Sequence, residues 1–195
     1  MPEAPPSSKK TLSGRRPPYS EEAERGVLGS LLLDAVRVAD MCVEARLTPD
    51  SFYVPAHRMV YDASMALTQD ASVIDVLTVG EKLKTMGQLE KIGGPSFLDQ
   101  LIDSTPTAAH AEYYIDIVRQ RHLLRTIIDC ARHTENECLT TDESADLLLS
   151  RTEQAFLDIS DSRYGAMVSW RDSVKNTMVH IERILTSHKG LTGLS

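Results

Sequence analysis

From Thr107 to about Leu139 the chain runs without a single proline or glycine. Within that stretch Ile117, Gln120, Leu124, Ile127, Ala131, Thr134 and Cys138 step by three and four. Such spacing puts them on one side of a helix, so the segment predicts one long helix with a seam along it. The polar run "TTDE" breaks it, with Thr140 and Glu143 spaced as a capping box. A second long helix is predicted from about 142 to 160, with Ala145, Leu148, Leu149, Thr152, Phe156 and Ile159 along its inner stripe. Two long helices joined by a short polar turn make an antiparallel hairpin. The seams exceed what one mate covers, so Ile117, Leu124, Ile127, Ala131, Leu148, Leu149 and Phe156 are the expected interface with a second chain.

Residues 19–106, ahead of the hairpin, read as a head of shorter helices. Ser20 is a good N-cap, followed by Glu21 and Glu22, which suit the positive end of a helix dipole. Val27, Leu28, Leu31 and Leu32 then recur at helical spacing. A second helix is predicted over 36–46 with Val36, Ala39 and Val43 on one side. A third is predicted over 56–68 with Met59, Val60, Ala63 and Leu67 inward. Asp75 caps a fourth, 76–86, which buries Val76, Val79 and Leu83. Gly93, Gly94 and Pro95 open a short helix through Leu98 and Leu101, and Pro106 ends it. No strand pattern appears, so the expected fold is all-α: a compact helical head, a long antiparallel hairpin and a separate linker helix.

The two ends differ from this body. Residues 1–18 hold five prolines with Lys9, Lys10, Arg15 and Arg16, which predicts a disordered tail. Gly165 marks a hinge, and Ser169 and Asp172 cap a last helix to about Thr186. Its stripe is Val174, Met178, Ile181 and Leu185. Burying four such side chains in a partner contributes on the order of 6 kcal/mol before ordering costs. The predicted division is a tail 1–18, a helical domain 19–161 containing the hairpin 107–160, and a hinge and linker 162–195.

Charge narrows the partners. The whole chain carries −7, yet residues 1–18 and 162–195 each carry +3, leaving −13 on residues 19–161. Affinity for nucleic acid comes largely from cationic neutralisation of phosphates, so DNA is a weak or absent partner for this body. Three cysteines form no even disulfide framework, and no run is apolar enough to span a bilayer. A reducing cytoplasm is expected.

Little of the chain reads as chemistry. "VGEKLKTMG" places Lys84 and Thr85 between two glycines, but a phosphate loop needs G-x-x-x-x-G-K-[ST] between a strand and a helix. Lys84 falls inside a predicted helix, where no free amide faces an anion. Gly87 reads instead as a helix C-cap, and Gly93-Gly94 as a turn. Cys130, His133 and Cys138 lack the ligand count of a zinc site and read as core-facing thiols beside a surface histidine. Glu21, Glu22 and Glu24 read as solvated dipole complements. Tyr19, Phe52, Tyr53, Tyr61, Tyr113 and Tyr114 read as core and interface aromatics, because few basic residues interleave them as a base-stacking platform requires. No catalytic, cofactor-binding or metal-binding residue is expected.

Several segments together resemble a known family. "PPYSEEAERGVLGSLLLD" is similar to the opening of bacterial replicative DNA helicases of the DnaB type. "DSFYVPAHRMVYDASMAL" resembles the family's signature through Asp50, Phe52, Tyr53, His57, Arg58 and Tyr61. "IDVLTVGEKLKTMGQLEKIGGPSFLDQL" resembles its next elements through Asp75, Thr78, Val79, Gly87, Leu89, Gly93 and Gly94. "HAEYYIDIVRQRHLLR" is similar to the start of its hairpin, and "HKGLTGLS" to the segment before the motor. The resemblance spans residues 17–195 and ends where a RecA-like ATPase is expected to begin. It implies an N-terminal collar domain plus linker helix, with ATP and Mg confined to the motor. It further implies self-association as a dimer and a trimer of dimers, primase docking on the collar, and docking of Val174, Met178, Ile181 and Leu185 on a neighbouring motor. DNA would be met through the parent hexamer. The alternative is a free-standing helical adaptor or helicase-loading protein that mimics the collar.

Overall fold

Seven α-helices and no strand make up residues 16–164, the part of the chain that the computed structural model describes. They are α1 (Glu21–Leu33), α2 (Ala35–Glu44), α3 (Pro55–Gln69), α4 (Val76–Thr85), α5 (Pro95–Asp103), α6 (Ala111–Thr140) and α7 (Ala145–Tyr164). Two compact units divide inside α6, between Arg125 and Thr126. The predicted tail up to residue 15 and the hinge and linker from Gly165 onward lie outside the described residues.

In the first unit α1 is the central element. Ser20 Oγ accepts from the Ala23 amide at 3.3 Å, and Glu21 and Glu22 occupy the first turn. Val27, Leu28 and Leu31 are wholly buried, as the spacing predicts. Two glycines let other elements approach closely. A Cβ on Gly26 would meet the Tyr114 ring at 2.6 Å, and one on Gly29 would run into Thr105 and the Leu101 carbonyl. The α1–α5 crossing therefore depends on a bare backbone at Gly29.

α2 corrects one expectation. Its buried residues are Val38, Ala39 and Cys42, whereas Val36 is 78% and Val43 59% exposed. Both sets fit a helical period, but α1 breaks at Asp34 and α2 restarts from it, which turns the Val38–Cys42 side inward. Arg37 anchors the other flank, donating to Asp34 at 2.6 Å and to the Ala108 carbonyl at 2.9 Å. Cys42 has no exposed surface. Burial pushes its thiol up to about 12, partly countered by a hydrogen bond with Tyr61. The Tyr61 hydroxyl donates to the Leu47 carbonyl at 3.1 Å, and burial raises it as well.

The caps of α4 and α5 follow the predicted chemistry. Asp75 accepts from the Thr78 amide at 2.8 Å while the Thr78 hydroxyl accepts from the Asp75 amide at 2.9 Å. That first bond holds the Asp75 carboxyl below its usual range. Gly87 closes α4 at φ 66°, and Gly93 and Gly94 turn the chain at φ 103° and 76°. Lys84 lies in the last turn of α4 and meets Glu81 at 3.5 Å, so no phosphate cradle surrounds it.

Two variants separate close packing from helix propensity. Gly29→Ala is expected to cost about 3 kcal/mol, because Leu101 and Thr105 must move. Gly80→Ala places its Cβ an ordinary 3.6 Å from Leu98 and exchanges a poor helix former for the best, gaining up to about 1 kcal/mol. Urea midpoints measure both. The Cys42 shift has a defined sign as well. A raised folded value favours the neutral thiol, so its contribution is full below about pH 9 and fades as pH rises toward 12. At pH 8 a thiol reagent should label exposed Cys138 at once and Cys42 only after unfolding, as peptide mass mapping would show.

Candidate interaction surface

The second unit is built from the C-terminal part of α6 and from α7. Residues Thr141–Ser144 join them, too few for anything but antiparallel neighbours. Thr140 does not cap α7, contrary to the expected box: α6 continues through it, and its hydroxyl donates back to the Asn136 carbonyl at 2.8 Å. Thr141 serves the turn instead, accepting from the Glu143 amide at 3.1 Å. Arg151 on α7 reaches Glu137 on α6 at 2.9 Å and Glu143 in the turn at 3.3 Å. Exposed pairs contribute little individually, but this fork fixes the pairing of the two helices.

The facing sides are thinly apolar. Leu148 is buried, and Thr152, Ala155 and Ile159 are half-buried; on α6 Cys130, Thr134 and Glu137 are half-buried. Antiparallel right-handed helices present residues one step after their inward ones on the same flank. Ala131 follows Cys130, and Leu149 and Phe156 follow Leu148 and Ala155. They therefore share a flank with Ile127, and Leu124 continues that stripe along α6. Leu124 is 43%, Leu149 58% and Phe156 41% exposed, and Ile127 and Ala131 are exposed too.

Five of the seven expected interface residues thus lie open on one chain. Two do not. Leu148 packs inside the hairpin, because its position falls on the inward stripe of α7. Ile117 is half-buried against the head core, since the first turns of α6 belong to the first unit. Val174, Met178, Ile181 and Leu185 lie outside the described residues. Sequence reading missed Leu139, Leu147 and Leu157, all more than half exposed. They break the seam pattern, and only an outward-facing count would have flagged them. Cys138 is exposed rather than core-facing, because α7 covers Cys130 and Thr134 but not the next turn's flank.

The family-like signature around Asp50–Tyr61 proves to be architectural. Glu24, expected in solvent, is 1% exposed. Its carboxylate accepts from the Tyr53 amide at 2.7 Å and the Val54 amide at 3.2 Å, and His57 Nδ1 lies 2.8 Å away. α3 begins with Pro55 and has no side-chain cap, so a carboxylate from α1 supplies the negative charge at its N-terminus. Tyr53 stacks on Tyr19 with centroids 4.5 Å apart. Arg125 sits over the Tyr53 ring and donates to the Ser51 carbonyl at 2.6 Å and the Pro18 carbonyl at 3.0 Å. Arg58 Nε donates to the Phe52 carbonyl at 2.6 Å. Nearby His122 is held below its usual range, first by burial and then by the Arg125 charge. Glu24 and Arg125 thus engage mainly protein backbone, while Arg58 also meets the exposed Asp50 carboxylate at 3.5 Å. Among the described residues no three His, Cys, Asp or Glu side chains gather as metal ligands, and no helix is long and apolar enough to cross a membrane.

Comparison with known proteins points one way. The model of the DnaB-like helicase N terminal domain matches residues 16–120. Among curated proteins, the replicative DNA helicase DnaB of Geobacillus stearothermophilus is 33% identical over 94% of this chain and 40% of its own length. Replicative DNA helicase DnaC of Bacillus subtilis is 30% identical over the same shares. The chain therefore spans about 40% of those relatives. The crystal structure of the N-terminal domain of DnaB helicase from Mycobacterium tuberculosis superimposes with a TM-score of 0.69 at 33% identity, covering 73% of this chain and 99% of that one. A DnaB-like replicative helicase studied for its interactions with primase shares the fold at a TM-score of 0.59 and 20% identity, over 90% of this chain and 37% of its own.

The buried carboxylate yields a direct test. Glu24→Leu removes the acceptor for two amides and the partner of His57 at once. A loss of about 3 kcal/mol is expected, since orphaned buried donors cost about 1–3 kcal/mol each. Chemical denaturation measures it.

Proposed function

The chain belongs to the DnaB-like helicase N-terminal domain family, and from that premise we propose that it is the assembly and partner-recruiting domain of a hexameric replicative helicase. Residues 19–161 form the collar domain, and residues 162–195 lead by a linker helix toward an ATP-dependent motor. Unwinding at the fork, with its ATP and Mg, belongs to that motor, and this domain contributes no catalysis. Acting on DNA in the cytoplasm, the parent hexamer meets the strand mainly through other parts, because the −13 carried by residues 19–161 repels phosphate.

One observation carries the reading. The hairpin leaves Ile127, Ala131, Leu149 and Phe156 open to water on one flank of the single chain, and Leu124 is open one turn earlier on α6. Side chains of this kind are normally covered, and the simplest cover is the same flank of a second copy, an isologous contact. Dimers made this way are the units of a trimer-of-dimers ring. Primase recruitment to the collar is supported by the fold shared with a helicase characterised for its interactions with primase. The stripe Val174, Met178, Ile181 and Leu185 is assigned to the neighbouring motor.

Sedimentation equilibrium tests the contact. The parent chain should show concentration-dependent dimers or larger rings in the micromolar range. Leu124→Asp and Phe156→Asp each bury a charge only on association, at several kcal/mol if unpaired. Both should give monomers with unchanged helicity by circular dichroism. Leu77→Asp, on a still more open head leucine, should associate as the parent does. A strictly monomeric parent, or Phe156→Asp dimers of full strength, would remove this interface.

A further inference from the structure

Within the second unit the exposed charges along the apolar flank are acidic, while Arg121, three residues before Leu124, brings a base to the other end of the α6 stripe. Along α7, Asp146, Leu149, Glu153 and Phe156 step by three and four, so carboxylates alternate with the two apolar anchors on one stripe. Along α6, Glu135 follows Ala131 by four. All three carboxylates are exposed. Neither arginine of residues 126–161 answers them. Arg151 precedes the inward Thr152, which puts it on the opposite flank, where Glu137 and Glu143 engage it. Arg132 projects about a hundred degrees round the helix from Ala131. Residues 126–161 hold nine acidic and two basic side chains, a formal charge of −7.

An isologous contact sets this patch against itself, so the −7 of residues 126–161 in one copy approaches the −7 of its mate. Resting on the self-association proposed above, we infer that this rim opposes pairing and makes the contact respond to ionic strength. The apolar anchors supply the attraction, and dissolved salt decides how much repulsion is subtracted from it. The screening length shrinks from about 30 Å at 0.01 M salt to about 8 Å at 0.15 M, which spans the range over which rim charges act on each other. The association therefore strengthens as salt rises, the reverse of a contact made by opposite charges. The competing arrangement, in which the +3 segment 162–195 lies on the acidic hairpin of another copy, predicts the opposite slope.

Sedimentation equilibrium of the full chain in 20 mM and 200 mM NaCl decides between them. The dimer dissociation constant should fall by about tenfold at the higher salt. The double variant Glu135→Gln, Glu153→Gln should pair at 20 mM nearly as well as the parent does at 200 mM, and should lose most of its salt dependence. A dissociation constant that is flat or rises with salt overturns the inference while leaving self-association standing. So does a double variant that keeps the full slope, which would mark salting-out of apolar surface instead. A parent chain that is monomeric at both concentrations overturns the self-association reading and this inference with it.

Discussion

The head is organised by a carboxylate that water never reaches. Glu24 leaves α1 to gather two backbone amides and a histidine from the segment that opens α3. A buried charge is costly unless every lone pair is engaged, so these partners hold one another in a single arrangement. With the approach to α3 fixed, Phe52 and Tyr61 enter the core, Tyr53 turns to meet Tyr19, and Arg125 finds three backbone carbonyls within reach. Arg125 is also the last residue of the first unit. One polar knot thus sets both the packing of the head and the root of the long helix.

Beyond that root the physics changes. Two helices packed only on each other have a single covered side apiece, and here that side is partly threonine, alanine and glutamate. The hairpin is held together by Leu148, the half-buried Ala155 and Ile159, one arginine fork and a short turn, while Leu149, Phe156 and Leu157 look outward. Such an element has more to gain from a neighbouring molecule than from itself. The head keeps a core of wholly buried apolar side chains beside its exposed ones, whereas the hairpin buries Leu148 and little else of its larger apolar residues.

Much of this was legible in the residues. Ser20, Asp75 and Gly87 announced helix ends because capping is local chemistry, and the prolines and glycines around them left few alternatives. The α1 stripe was readable because four apolar residues fell on one arc. The inward arc of α2 was not, since Val36–Val43 and Val38–Cys42 both satisfy a helical period and only the break at Asp34 chooses. Glu24 was misread for a similar reason. An acid in a first turn suits the dipole, and nothing local reveals that amides thirty residues on converge upon it. On the hairpin, the period told which residues share a helix side but not which of two adjacent arcs meets the partner helix. Leu148 and Leu149, neighbours in sequence, therefore ended with opposite fates.

The bond from Arg125 to the Pro18 carbonyl has a practical corollary. It ties the start of the folded chain to the middle of the long helix, one residue from Leu124. Trimming the chain past Pro18 would take that acceptor from a buried guanidinium, so the choice of N-terminal boundary bears on α6 as well as on the head.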